Sequence, residues 1–298
     1  MDLTREAEAR FAESGDRSEA SRVLEPARDR SLDRVWDRIV ELARPSARLV
    51  RGSSAYGSSR LGGLPMVDTN FSWPADPDGQ PLPFVGQIDL ADVSRVCSDD
   101  ILPTDGLMAL FYDSTQQPSG YQPTHRGRWA VNYSKSPSSL ASPPNGANIN
   151  IPEIQMTAVG DLTLPESDSI EIEKLGLSPD ETDAYESMLD HLKGLHGAGV
   201  HRTIHRVLGW PDAIQHDPAT LAQLASNGFD AGDPATYQSE PAKSLLEDRD
   251  TWRLIAQIDS EDSIGLLWGL YGRIYFVMKE RDLRQRVWEA AWVVLQWS

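Results

Sequence analysis

Apolar positions along the chain switch between helical and strand spacing, and the switches predict its elements. Leu32, Val35, Trp36, Ile39 and Leu42 form one helical stripe that Ser31 can cap and Pro45 stops. Residues 1–28 ahead of it are polar and carry little apolar periodicity. They read as a flexible or weakly helical extension, closing by about residue 30 and dispensable for folding. A short strand is expected at 47–50. Glycines and prolines punctuate residues 60–83 as loop, and two apolar runs, 84–90 and 107–112, read as buried strands. Residues 128–133 alternate like a further strand, 134–150 read as a surface loop, and 154–159 and 169–173 read as short strands. Ser178-Pro179-Asp180-Glu181 is a capping box that opens a helix with Tyr185, Met188, Leu189 and Leu192 on its apolar face. Asp217-Pro218 opens another, closed near Gly228. Strands return at 252–259, 273–278 and 291–297, with a short helical stretch around 280–286.

Two stretches repeat one order of features, which points to a duplicated unit. The first runs Leu61-Gly62-Gly63-Leu64-Pro65, then Phe84-Val85-Gly86-Gln87-Ile88-Asp89, then Gly106 and the strand to Tyr112. The second runs Leu208-Gly209-Trp210-Pro211, then Leu254-Ile255-Ala256-Gln257-Ile258-Asp259, then Gly272 and the strand to Phe276. Each holds a Gly-Pro turn, a strand ending in Gln-Ile-Asp, and a glycine that opens an aromatic-ended strand. The turn-to-strand interval is 22 residues in the first copy and 46 in the second, so the second carries an insertion. These residues, with Gln215-His216-Asp217-Pro218 and Trp268-Gly269, resemble the YwqG-like family of bacterial proteins, a domain family of unknown function, over roughly residues 45–298. The chain departs from that family at Leu270-Tyr271, where an acid usually follows Trp-Gly. The resemblance implies a mainly β, roll-like α+β architecture with a few peripheral helices, and no established reaction. The expected organisation is one domain, 31–298, built from two repeats at about 45–160 and 200–298.

Charge narrows the partners. The chain has 45 acidic and 28 basic residues, a net charge of −17, which disfavours nucleic acid and anionic lipid. Residues 161–190 hold ten acids and one base. That stretch reads either as a solvated face or as a docking surface for a basic protein partner, with Asp180, Asp183 and Glu186 on the outer side of its helix. No apolar run is long enough for a membrane helix, and the charged opening residues lead into no apolar stretch, so neither a membrane span nor a secretory leader is expected. Cys97 is the only cysteine, which rules out an intrachain disulfide and fits a reducing cytoplasm.

Gln87 and Asp89 sit two apart on a strand and share a face, as do Gln257 and Asp259. They are the candidates for general acid–base work at a cleft between the repeats. The alternative is that they satisfy backbone groups of the neighbouring Gly-Pro turns, which duplication of the motif favours. His201 and His205 have a spacing that suits a shared metal, but Arg202 and Arg206 flank them and no zincin pattern is present, so no metal and no cofactor are expected. No Gly-x-Ser-x-Gly, P-loop or Gly-x-Gly-x-x-Gly occurs. The acids beside Cys97 argue against a reactive thiolate. The leading expectation is a cytoplasmic protein-binding or regulatory module, of the immunity or antitoxin kind. The rivals are a hydrolase using the Gln/Asp strands and a small-ligand binder with Trp73, Trp210 or Trp268 lining its pocket.

Overall fold

The computed structural model describes residues 3–52, 58–147, 151–195 and 203–297. Its strands are β1 (Arg44–Arg51), β2 (Arg60–Leu61), β3 (Met66–Val67), β4 (Phe84–Asp89), β5 (Leu107–Tyr112) and β6 (Trp129–Ser134). They continue with β7 (Ser139–Leu140), β8 (Ile154–Thr163), β9 (His205–Val207), β10 (Trp252–Asp259), β11 (Arg273–Lys279) and β12 (Trp292–Gln296). The helices are α1 (Leu3–Ser14), α2 (Arg17–Leu24), α3 (Trp36–Leu42), α4 (Leu90–Val96) and α5 (Ile170–Glu173). After them come α6 (Pro179–Leu195), α7 (Pro218–Ser226), α8 (Glu240–Leu246) and α9 (Glu280–Arg284).

Ten strands make one antiparallel sheet in the order β12-β11-β10-β9-β1-β8-β2-β4-β5-β6. The sheet curls into a nearly closed barrel, and its two edges meet through aromatic side chains. Trp129 of β6 packs edge-on against Trp292 of β12 at 5.0 Å between ring centroids. Its indole N–H donates to the Ala291 carbonyl at 3.0 Å. The Leu295 N–H donates to the Ser119 carbonyl at 3.0 Å, so the β5–β6 loop covers the β12 edge that would otherwise be unpaired. The main core fills the inside with side chains from both wings, among them Ile88, Leu110, Ile258 and Phe276.

Several elements differ from their sequence pattern for local reasons. A bulge in β4 between Phe84 and Gly86 breaks the strict alternation. Val85 and Ile88 therefore face the main core, while Phe84 joins an outer cluster with Phe111 and Trp73. Residues 169–173 read as strand but form the helical turn α5, because the Ser169 hydroxyl accepts the Ile172 N–H as a cap. The stripe from Leu32 starts as a 3-10 turn, Arg30–Arg34, capped by Asp29, before α3 takes over. Pro45 lies inside β1 instead of ending a helix. The capping box at Ser178 forms as its residues require: the Ser178 N–H donates to Glu181 at 2.7 Å and the Glu181 N–H returns to the Ser178 hydroxyl at 3.3 Å. Among the described residues, no helix is long and apolar enough to cross a membrane.

The expectation for the N-terminal extension is corrected. Instead of fraying, residues 3–24 form two helices that pack on the sheet and on α3. Phe11, Ala20, Val23 and Leu24 are fully buried in a second core, shared with Trp36, Ile39, Leu162, Tyr185 and Met188. The apolar stripe is short and interrupted by Arg and Glu, so it is weak as a pattern. Its few large residues nevertheless meet an apolar surface already present on β8 and α6. Contact is close because β8 carries glycine at 160: a Cβ there would stand 2.9 Å from the Ala12 Cβ and 3.2 Å from the Ala9 Cα. Removing residues 1–28 should therefore lower the melting temperature sharply. Phe11→Ala alone should cost about 3–5 kcal/mol in urea unfolding. An unchanged urea midpoint for both variants would show that the extension contributes nothing to the fold.

Candidate functional site

The Gln-Ile-Asp strands place their polar side chains under the Gly-Pro turns. Gln87 Oε1 accepts the Met66 N–H at 2.7 Å, and its Nε2 donates to the Ser58 carbonyl at 3.2 Å. Gln257 does the same one wing over: Oε1 accepts the Asp212 N–H at 2.9 Å and Nε2 donates to the Ile204 carbonyl at 3.0 Å. Asp89 Oδ2 accepts the Ser58 N–H at 3.0 Å, and Asp259 Oδ2 accepts the Ile204 N–H at 2.9 Å. Both glutamines are closed off, at 1% and 0% exposure, and the aspartates at 9% and 5%. All four side chains that were candidates for acid–base work are thus engaged in bracing the segment before β2 or β9 and the turn after it. The turns match as well. Gly62 and Gly63 have φ of 67° and 71°, and Leu208 and Gly209 have 61° and 74°. Gly209 is required there, since a Cβ would stand 2.5 Å from Thr163 Oγ1. Gln257→Leu should strand a buried N–H and a buried carbonyl. It should lower stability by about 1–3 kcal/mol per orphaned group, and Gln87→Leu should do likewise. Equal stability of native chain and variants in chemical denaturation would show that the braces carry no weight.

The two wings then diverge. Where the first turn has Met66, the second has Asp212, and a buried charge cluster grows around it. Lys193 of α6 bridges Glu166 at 2.9 Å and Asp212 at 3.1 Å. Arg273 of β11 bridges Asp212 at 2.8 Å and Asp259 at 2.9 Å. Arg206 of β9 meets Asp161 of β8 at 3.1 Å. Burial works to raise Asp212, but Arg273 and Lys193 hold its carboxyl well below the usual range. Burial pushes Glu166 up to about 7 against the pull of Lys193. The folded chain therefore holds this proton more tightly than the unfolded one, whose value is 4.5. That contribution to stability is complete below about 4.5 and is lost as pH rises through about 7. Glu166→Gln should accordingly gain in melting temperature relative to the native chain across that window. A difference that stays flat or shrinks with rising pH would overturn the assignment.

The insertion between Pro211 and Gln257 builds a cleft of about 820 Å³. One wall is the loop from Gln215 to Asp217 and the start of α7. A second is the stretch 231–249 with Tyr237 and Arg249. Asp168 and Glu173 lie on a third side, and Tyr121 of the β5–β6 loop reaches in from the other half of the barrel. Asp217 caps α7, accepting the N–H groups of Ala219 and Thr220 at 3.1 Å each. Burial still pushes its carboxyl up to about 6, with Asp168 adding repulsion. The Tyr121 hydroxyl donates to Gln215 Oε1, and the Tyr237 hydroxyl to the Ala231 carbonyl, both at 2.9 Å. Arg249 is tied to Glu173 and to the Leu246 carbonyl. The sequence pattern does not reveal this cleft. Its signals were the longer second interval and the Asp217-Pro218 cap, which mark an insertion and a helix start without saying what they enclose.

The other candidates are distributed elsewhere. Asp180, Asp183 and Glu186 are exposed on the outer face of α6. The inner acids of that segment are engaged: Asp161 with Arg206, Glu166 with Lys193, and Glu181 with Arg34. Trp73 donates to the Leu82 carbonyl and packs edge-on in the outer cluster with Phe71 and Phe111. Trp210 donates to the Leu42 carbonyl at 2.7 Å beneath the Arg44 guanidinium. Trp268 is fully buried against Tyr112. All three occupy packing positions away from the cleft. His205 is buried in β9, where its Nδ1 accepts the Asp259 N–H at 3.1 Å. His201 lies outside the described residues. Among the described residues, no group of three or more His, Cys, Asp or Glu could hold a metal ion. Cys97 is buried, and burial pushes its thiol up to about 12, against the pull of a hydrogen bond from the Asp99 backbone.

No curated protein matches the chain. Residues 59–297, by contrast, match a family throughout, from the strand ahead of the first Gly-Pro turn to the end of β12. The chain belongs to that family, which is described as a domain of unknown function, DUF1963.

Proposed function

We propose that this protein is a binding module whose ligand occupies the cleft beside α7. The observation that carries the reading is the cleft itself. At about 820 Å³ it falls within the range of small-molecule sites, and three separate stretches of chain converge on it. The engagement of Gln87, Asp89, Gln257 and Asp259 in bracing supports binding over a hydrolase, since acid–base groups must reach a substrate. The matched turns and glutamine braces support reading the barrel as a duplicated roll of the YwqG-like kind, with the second copy adapted by its insertion. A free, buried Cys97 fits a cytoplasmic setting.

A second reading rests on α6, whose exposed Asp180, Asp183 and Glu186 suit a basic protein partner and a regulatory role. Association there would slow with salt and with charge reversal at those three positions.

The cleft reading is tested by a thermal-shift screen of small metabolites. A true ligand at about a hundred times its Kd should raise the melting temperature by roughly 5 °C or more. Gly232→Phe, which fills the cleft beside Tyr121 from an exposed loop, should remove that shift while leaving the circular dichroism spectrum intact. Shifts that survive this substitution would move the site elsewhere on the molecule.

A further inference from the structure

We propose that the ligand of this cleft is an organic cation, carrying an ammonium or guanidinium group on an apolar body. The inference rests on the cleft reading and narrows it to a chemical class.

Charge is the first argument. Asp168, Glu173 and Asp217 stand on the walls against Arg249. Arg249 and Glu173 neutralise each other in their ion pair, and a second guanidinium nitrogen of Arg249 is held by the Leu246 carbonyl at 3.0 Å. Asp168 and Asp217 are left as the excess charge of the walls. Asp168 is exposed, and one of its oxygens accepts the Asp217 N–H at 3.3 Å, which fixes the carboxylate beside the cap of α7. A carboxylate has about four acceptor sites, so Asp168 retains capacity for a charged donor. An anionic ligand would meet both carboxylates at short range.

The aromatic lining is the second. Tyr121 and Tyr237 spend their hydroxyl protons on Gln215 and Ala231. What remains for a ligand is ring surface, which attracts ammonium and guanidinium groups and also packs on an apolar body. The Tyr121 ring lies close to the opposite loop, with Cδ2 3.7 Å from where a Cβ on Gly232 would stand. Burial, together with Asp168, raises the Asp217 carboxyl to about 6, and a bound cation offsets the repulsion from Asp168 and favours the ionised form. The net charge of −17 raises the local concentration of cations around the whole molecule.

The test is titration calorimetry on the full chain at low salt and pH 7.5 with four probes: phenethylammonium, spermidine, the uncharged phenethyl alcohol and succinate. Phenethylammonium should bind at least about tenfold more tightly than the alcohol, the loss expected for one charge-assisted hydrogen bond. Succinate should give no heat. Asp168→Asn, which keeps an oxygen for the Asp217 N–H, should weaken the amine about tenfold and leave the alcohol unchanged. Gly232→Phe should abolish binding of every probe. If amine and alcohol bind alike, if succinate binds best, or if neither cation binds up to about 10 mM, the cation inference is overturned. Loss of those probes in Gly232→Phe would still uphold the cleft as the site. Amine binding that persists in Gly232→Phe would overturn both.

Discussion

The antiparallel ladder between β1 and β8 is the constraint on which the rest of the structure depends. Eight residue pairs, from Arg44 opposite Thr163 to Arg51 opposite Met156, form the seam of the barrel. Each wing hangs from one of these strands: β9 pairs with β1, and β2 pairs with β8. The seam also collects charges, with Asp161 bound to Arg206 across it and the half-buried Arg48 in the field of Asp161 and of Glu8 of α1. Such charges are tolerated only when paired, so the seam, the N-terminal helix and the second wing are held in one mutual arrangement. The family match starts at residue 59, beyond β1, yet the sheet has no continuous path between its wings without that strand.

Around the seam the two wings follow the same order, and the same hydrogen bonds hold their turns. A glutamine is well suited to this task because it offers a donor and an acceptor on one short, uncharged arm. It can clasp a backbone carbonyl before β2 or β9 and a backbone N–H after the turn at once. The adjoining aspartate fixes the N–H that the glutamine leaves. With the turns held in this way, changes elsewhere in a wing need not disturb the barrel. Replacement of Met66 by Asp212 at the matched position, and the longer interval before Gln257, are two such changes. The first produces the Lys193–Asp212–Arg273 cluster that anchors α6, and the second produces the cleft.

The acidic character of the chain divides in two. Part of it is structural, buried against Arg34, Lys193, Arg206 and Arg273. Part is free to act at a distance, on the outer face of α6 and at the cleft. Counting charge along the sequence merges the two, because spacing in the chain says nothing about which carboxylate meets a guanidinium from an element over a hundred residues away, as Glu181 meets Arg34 of the 3-10 turn.

The sequence by itself determined the elements whose signals are local. The capping box at Ser178, the Asp217-Pro218 start of α7, and the apolar strands β4, β5, β10 and β11 follow from neighbouring residues, since caps and strand faces involve contacts a few positions apart. The shared order of Gly-Pro turn and Gln-Ile-Asp strand was legible too, because each turn carries a glycine at positive φ, Gly63 and Gly209. Only the tertiary structure decided what depends on distant partners. The polar-looking extension became part of the fold because β8 and α6 present an apolar face to Phe11 and Leu24. The Gln/Asp strands face buried turns because the turns fold back over them, which two-residue alternation cannot reveal. The cleft exists because Tyr121 arrives from the opposite wing when the barrel closes on Trp129 and Trp292. Residues nearly a hundred positions apart become neighbours there through sheet curvature, a property of the assembled ladder that no stretch of sequence carries alone.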